Sequence, residues 1–526
     1  MTGPDLIAPP PESGPGPTPD DDARAVLELY AAARARRAPW ESFWQECYDF
    51  ALPLGHTVTR PTMAADRRGD RLFDGTAVDA VDQLAASLLS ELTPPWSRWF
   101  GLAPGPDLPV AERDGLTPLF DRVGTVAQSH FDRSNFAIEM HQCFLDLVTV
   151  GTATLLLEEN PPGEPSALRF TAVPLSEAVL EEGPAGRLDV TYRRTELTLA
   201  ELRRRFPTGR LPENVRAEGS RHADRRYGVL EAVLPDGPAY RYAVVLEESG
   251  RGPALLTEGR FGQSPFISFR WLRAPGESYG RSPVMKALPD IKTANKVVEL
   301  TLKNASIAVT GMWQADDDGV LNPATIRLVP GTIIPKAVGS AGLTPLATPG
   351  RFDISQLVLS DLRQRIRHSL LVDQLGPVAD SRMTATEVLQ RSSEMARLLG
   401  ATYGRLQSEL LTPLVQRALA ILRRRGEIPD IAVDGRLIEL QYRSPLAQAQ
   451  ANRDVQATLL WLQAAGNLGP AALATVNVEA AAHWLGNAFG VPSQLIRATP
   501  AVPTGTGGGA EAAAAATAPA REVVHG

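Results

Sequence analysis

Apolar positions recur at helical spacing through the first part of the chain, shift to every second residue in the middle, and return to helical spacing afterwards. In the first block Trp40, Phe43, Trp44, Cys47 and Ala51 form one apolar face, and Val78, Val81, Ala85, Leu88 and Leu92 form a second stripe. Thr76, with Asp79 three residues on, predicts a capping box at the start of that stripe. Pro94-Pro95 ends it; Trp96 and Trp99 follow, expected as packing anchors rather than bases' stacking partners, and helical patterns resume over about 112–150. From about 167 to 270 the period is two. Tyr240, Tyr242, Val244 and Leu246 alternate behind the turn Pro235-Asp236-Gly237-Pro238, which predicts a mainly antiparallel sheet. One short helix inside it opens on a capping box, Thr198 with Glu201.

The third block predicts a helix over 286–309. Ile291, Val298, Leu302, Ala305 and Val309 lie on one side; Lys292, Lys296, Glu299 and Lys303 lie on another, with Glu299 placed to support Lys303. Residues 311–352, rich in Gly, Pro and β-branched side chains, predict short strands and turns. A second helix follows over 353–373, striped by Leu359, Leu362, Ile366 and Leu370. After Gly376-Pro377, Thr384 and Glu387 cap a helix running to about Arg425, ~60 Å long at 1.5 Å per residue. Pro413 inside it should kink it, because its ring clashes with a preceding carbonyl. So long a helix needs cover from neighbouring subdomains or subunits. The ends look different: residues 1–22 are a Pro-rich arm expected to be disordered, and 501–526 an Ala/Gly/Thr-rich tail expected to be flexible. The fold class is α+β, predominantly helical.

Composition narrows the function more than the fold. At 526 residues the chain exceeds one comfortable core, so several subdomains are expected. No apolar run approaches a membrane span, and the start lacks a basic-then-apolar secretory signal. Cys47 and Cys143 are far apart and read as buried free thiols. With a net charge of −7 the chain does not read as a strong DNA binder, since such affinity comes largely from neutralised phosphates, but the charge suits a conduit in which tight contacts would impede sliding.

The search for catalytic chemistry finds nothing. Gly276-Glu277-Ser278-Tyr279-Gly280-Arg281-Ser282 is one residue short of a phosphate loop and lacks its lysine. Asp316-Asp317-Asp318-Gly319 fails as a calcium loop, because Gln314 and Thr325 stand where acids are required. No histidine belongs to a zinc motif, so no metal and no cofactor are expected. Basic clusters stand at Arg203-Arg204-Arg205, Arg363/Arg365/Arg367 and Arg423-Arg424-Arg425; most such runs are solvated helix faces or helix C-terminal charges.

Three stretches together resemble the portal, or head-to-tail connector, proteins of short-tailed (podovirus-type) bacteriophages. They are RLFDGTAVDAVDQLAASLLSELTPPWSRWFGL (71–102), SPFISFRWLRAPGESYGRSPVMKALPDIKTANKVVELTLKNASIAV (264–309, followed by DDGVLNP and VPGTI), and RMTATEVLQRSSEMARLLGATYGRLQSELLTPLVQRALAIL (382–422). The resemblance implies a portal fold assembled as a cyclic ring, usually twelvefold, at one capsid vertex. Double-stranded DNA would be packaged and ejected through it. The implied partners are the terminase large subunit, tail adaptor, capsid and scaffolding proteins, with assembly in the host cytoplasm before incorporation into the virion.

Carried onto this chain, residues 23–285 resemble the wing, 286–310 and 353–373 the two stem helices, and 311–352 the clip. Residues 374–383 resemble the tunnel loop, including Gly376, Pro377, Asp380 and Met383; 384–426 resemble the kinked wing helix and 427–500 the crown. Twelve copies would carry a formal charge of −84 (12 × −7), so contacts to DNA would come from local basic rings. The candidates are Lys292, Lys296, Lys303, Arg363, Arg367 and Arg382, none of which should read bases. The competing expectations are a head-assembly or adaptor component without a channel, and a packaging ATPase, which would need the phosphate loop that the sequence lacks.

Overall fold

The computed structural model describes residues 19–53, 71–95, 97–105, 107, 110–184, 186–248, 250, 252–310, 313–314, 344–345, 352–372, 400–430, 438–442, 445–469 and 476–488. Helix α1 (Pro19–Ala51) starts earlier than expected, so the last residues of the predicted disordered arm are helical. The local chemistry favours this: Pro19 suits a first helical position, and Asp20, Asp21 and Asp22 complement the positive end of the helix dipole. Helix α2 (Thr76–Leu92) buries Val81, Ala85, Leu88 and Leu92 of the predicted stripe, with Val78 only half-buried, and its start corrects the expected cap. Gly75 is the N-cap and no side chain caps from it; instead the Thr76 amide donates to Asp74 Oδ1 at 3.0 Å. Thr76 already lies inside the helix, and its side chain bonds back to Asp74 rather than capping the helix. Strand β1 (Phe100–Pro104) and helices α3 (Val110–Asp132) and α4 (Phe136–Val150) complete the block, which buries Trp44, Cys47, Ala51 and Trp99 in one core. Cys47 and Cys143 are free and buried, and burial pushes the Cys47 thiol up to about 12. Trp96 lies outside the described residues.

The middle of the chain is antiparallel throughout, and it begins earlier than the alternation suggested. Strands β2 (Thr152–Glu159), β3 (Leu168–Val173) and β9 (Phe266–Arg270) form one sheet in the order β3-β2-β9. Strands β4 (Ala178–Glu181), β5 (Val190–Thr198), β6 (Arg226–Asp236), β7 (Ala239–Leu246) and β8 (Ala254–Phe261) form a second, in sequential order. The predicted turn closes the β6–β7 hairpin with Asp236 opposite Ala239, and Gly237 takes the φ of +60° that a two-residue connection requires. Two short helices, not one, separate β5 from β6: α5 (Leu199–Arg205), with the predicted Thr198–Glu201 capping box in place, and α6 (Glu213–Arg221). Along β7, Tyr242, Val244 and Leu246 face the main core, while Ala243 and Val245 face a second cluster with Ala23, Val26, Tyr30 and Ala33 of α1. Both faces of this sheet are therefore covered.

The Gly-rich segment before the next helix packs rather than binds. Gly280 and Gly151 lie back to back; a Cβ on Gly280 would stand 2.1 Å from the Gly151 carbonyl oxygen. Gly280 also donates its amide to Thr152 Oγ1 at 2.8 Å. Helix α7 (Pro283–Thr310) follows, then a two-residue pairing of β10 (Trp313–Gln314) with β11 (Thr344–Pro345), and helix α8 (Phe352–Ser369), which packs on α7 and α2. The remainder of 311–351 lies outside the described residues, as do 373–399 with the expected cap at Thr384. Of the long third helix, Gly400–Leu406 and Thr412–Arg424 are α-helical, joined by a π turn at Gln407–Leu411. Pro413 falls in the first turn after that π turn, where a missing N–H removes no interior α bond. Strand β12 (Ile438–Tyr442) returns to pair with β1, and helix Pro445–Asn467 packs against α2 and helix Val478–Ala488. Among the described residues no helix is long and apolar enough to cross a membrane.

Candidate channel-lining and interface residues

The candidate channel helices are anchored at their base by RLFD, residues 71–74. Asn295 on α7 accepts from the amides of Phe73 (2.6 Å) and Asp74 (3.1 Å) and donates to the Arg71 carbonyl at 3.1 Å. Asp74 Oδ2 accepts from Arg363 of α8 at 2.8–2.9 Å. Burial pushes the Asp74 carboxyl up, but its bonds from Thr76 and Arg363 outweigh this and hold it below the usual range. One buried carboxylate thus joins the start of α2 to α8, and one asparagine joins the same turn to α7. Sequence reasoning singled out neither Asp74 nor Asn295. Their only signal was membership of the matched stretches, because an isolated Asp or Asn has no periodicity to betray it.

Most of the candidate cations already have partners. Lys292 pairs with Glu46 at 3.0 Å, between two largely exposed side chains. Lys303 reaches Glu299 at 2.6 Å, as the spacing predicted, and Lys296 reaches it too, at 2.9 Å. The bonds from Lys303 and then Lys296 lower the Glu299 carboxyl. Arg363 is committed to Asp74, and Arg365 pairs with Asp290 at 2.8 Å. Arg367 is exposed and has no ion-pair partner among the described residues. It is therefore a cleaner probe of DNA contact than Arg363, whose loss would also release α8 from α2. Arg382 and the tunnel-loop candidates Gly376, Pro377, Asp380 and Met383 lie outside the described residues.

The apolar face of α7 outlasts the core that covers it. Ile291 is buried, yet Leu302, eleven residues on and about 20° away around the axis, is 54% exposed. Leu300 on the same helix is 49% exposed; on α8, Leu357 and Val358 are 72% and 43% exposed. Near the base both helices pack into the protomer, through Ile291 and Ala294 on one and Leu362 and Ile366 on the other.

A second ionic centre ties the π turn to the sheet. Arg270 of β9 is wholly buried. It donates Nε and Nη2 to the Glu409 carboxylate (3.2 and 2.6 Å), Nη1 to Glu182 and to the Ser278 carbonyl (3.0 Å), and Nη2 to the Gly186 carbonyl (2.9 Å). Burial alone would lower the Arg270 pKa; the Glu409 and Glu182 bonds outweigh it and raise it. No spacing pattern singled out Arg270 or Glu409; both lie within the stretches that carry the resemblance. No cluster of residues among those described could hold a metal ion.

A family model described as "Bacteriophage head to tail connecting protein" matches residues 23–496. The chain is 24% identical over 500 residues to the probable portal protein of Bordetella phage BPP-1, covering 90% of this chain and 89% of that one. It is 24% identical over 508 residues to the portal protein of Salmonella phage epsilon15 (91% and 89% covered) and 22% identical over 425 residues to that of Escherichia phage T7 (78% and 76%). A chain from the virion of a native gene transfer agent particle aligns with a TM-score of 0.32 at 14% identity, covering 80% of this chain and 94% of that one, too low for an argument from shape. With the match running from α1 to beyond the last described helix, the chain belongs to the bacteriophage head to tail connecting protein family, structural proteins of the virion that include the portal proteins of these phages.

Proposed function

We propose that copies of this chain close into a ring, twelvefold by analogy with the usual form, whose axial passage conducts double-stranded DNA into and out of the capsid. The observation that carries this reading is the bare apolar surface of α7 and α8. Leu300, Leu302, Leu357 and Val358 continue helices whose bases are buried, and such a face requires a covering partner. A head-to-tail contact repeated around a closed ring covers it with copies of the same chain. In this reading 23–285 form the wing, α7 and α8 the stem, 311–352 the clip that meets the terminase large subunit and later the tail adaptor, 374–383 the tunnel loop, 384–426 the long wing helix and 427–500 the crown. Capsid and scaffolding proteins would meet the outside of a ring assembled in the host cytoplasm. Family membership and the portal names of its relatives support the role, and the formal charge of −7 per copy suits a passage that must not hold its cargo.

The test is the double substitution Leu302→Glu with Leu357→Glu. Both side chains are exposed in the protomer, so its circular dichroism should be unchanged. Sedimentation velocity and negative-stain imaging should show the wild type as rings with an axial hole and the variant as monomers. Wild-type protein that stays monomeric across salt conditions, or rings without an opening, would refute the channel. A variant that still forms rings would refute the assignment of these helices to the contact.

A further inference from the structure

Among the described residues, unpaired positive charge is concentrated on the wing side of the fold, at α5 and α6, although Lys286 of α7 and Arg367 of α8 are also exposed without an ion-pair partner. Residues 199–226, spanning α5, α6 and their flanks, contain eight arginines against four acidic residues, Glu201, Glu213, Glu218 and Asp224. That is a net +4 within a chain whose total is −7. Arg203, Arg204, Arg210, Arg216 and Arg221 are all exposed and have no ion-pair partner among the described residues. The acidic residues do little to neutralise them: Glu201 is taken up by its capping box with Thr198, and Glu218 pairs with Arg225. Apart from Arg367, the other basic runs are spent internally. Arg423 pairs with Asp430, Arg424 and Arg425 with Glu159, and Arg363 with Asp74.

The lobe is rigid rather than a loose arm. It leaves and rejoins the sheet where Thr198 pairs with Arg226, and Leu199, Leu202, Phe206, Leu211 and Val215 fasten it to the core. Arg205 adds a 2.8 Å bond to the fully buried Glu231. Its free guanidinium groups are thus held on a fixed frame, which limits the ordering cost of binding. We propose that the α5–α6 lobe is a docking surface for the phosphate backbone of duplex DNA, separate from the channel and independent of sequence.

Two features select nucleic acid over an acidic protein. Planar guanidinium groups pair bidentately with phosphate, and every free cation named here is an arginine. Protein partners, by contrast, are held by apolar or aromatic anchors at the centre of the contact. Among the described residues no large apolar side chain is exposed between Ile138 and Leu272, so the lobe has none to offer. The proposal stands whether or not copies close into a ring.

The test measures binding of a labelled 30-base-pair duplex of arbitrary sequence to the full-length protein by fluorescence anisotropy, from 0.1 to 1 M NaCl. Arg203, Arg204, Arg216 and Arg221 are replaced together by Ala, a set that should leave the melting curve unchanged. The slope of log K against log salt should become shallower by about 0.9 for each arginine that meets a phosphate, and affinity at 0.1 M should fall on the order of 1,000-fold relative to that at 1 M. The matching Arg→Lys set should keep most of the salt slope. Parallel slopes for wild type and the Ala variant would overturn the proposal, as would an equal loss per arginine on replacing the exposed Arg34, Arg122 and Arg133 elsewhere. Unchanged DNA binding with lost retention of a polyglutamate peptide would overturn it too, and assign the lobe to an acidic protein.

Discussion

Replacing Glu409 with Ala tests how the π turn is held. Arg270 uses all five guanidinium N–H groups, and Glu409 takes two of them plus the Arg270 backbone amide at 3.0 Å. Removing that carboxylate leaves a charge with zero exposure partly unpaired, a defect that typically costs 3–5 kcal/mol. Glu182, which remains on Nη1, moves the expectation to the lower end, about 3 kcal/mol. Hydrogen exchange read by mass spectrometry follows this locally, since the Arg270 amide itself donates to the lost oxygen. Exchange over 264–272 and 404–415 should accelerate on the order of 100-fold, at about 1.4 kcal/mol per decade. The double variant Arg270→Met with Glu409→Leu removes the charge and its partner together, and should cost less than the two single changes added, by about 2 kcal/mol or more. Acceleration below about threefold in Glu409→Ala, or strict additivity in the cycle, would show that the pair holds nothing in place.

Two further outcomes follow from the same interior. Burial raises the Asp146 carboxyl to about 7 against the opposing pull of its 2.9 Å bond from Tyr48, so the folded chain holds this proton more tightly than the unfolded one. The contribution of Asp146 to stability should therefore fall as pH rises from about 4 to about 7 and level off above. Asp146→Asn keeps the acceptor for Tyr48 and removes the charge; urea unfolding should show it about 2 kcal/mol more stable at pH 7.5, with the gap closing toward pH 4, and parallel pH curves would count against the reasoning. Gly280→Ala should cost about 1–3 kcal/mol because its Cβ meets the Gly151 carbonyl. Gly262→Ala, whose Cβ would meet nothing within 4 Å, should stay within about 0.5 kcal/mol in thermal melts, and equal shifts for the two would be the contrary result.

The sequence by itself determined the elements whose signal is local. The stripe of α2, the Thr198–Glu201 cap, the β6–β7 turn and the Glu299–Lys303 pair depend on residues within a few positions of one another, where spacing alone fixes who can touch. The three matched stretches pointed to the family for a related reason: their order and spacing were specific even though no single residue in them was. Tertiary structure decided the rest. Nothing local says that α1 covers the second face of the five-stranded sheet, or that Arg363 is bound to a carboxylate 289 residues away. Nor does the π turn show in the pattern, because it aims Glu409 at an arginine 139 residues earlier. The three arginine clusters looked alike in sequence, since a charge run carries no record of its partners. Folding brought carboxylates to most arginines of two of them and left Arg203 and Arg204 of the α5–α6 lobe without any, because pairing depends on which surfaces long-range packing brings within a few ångströms.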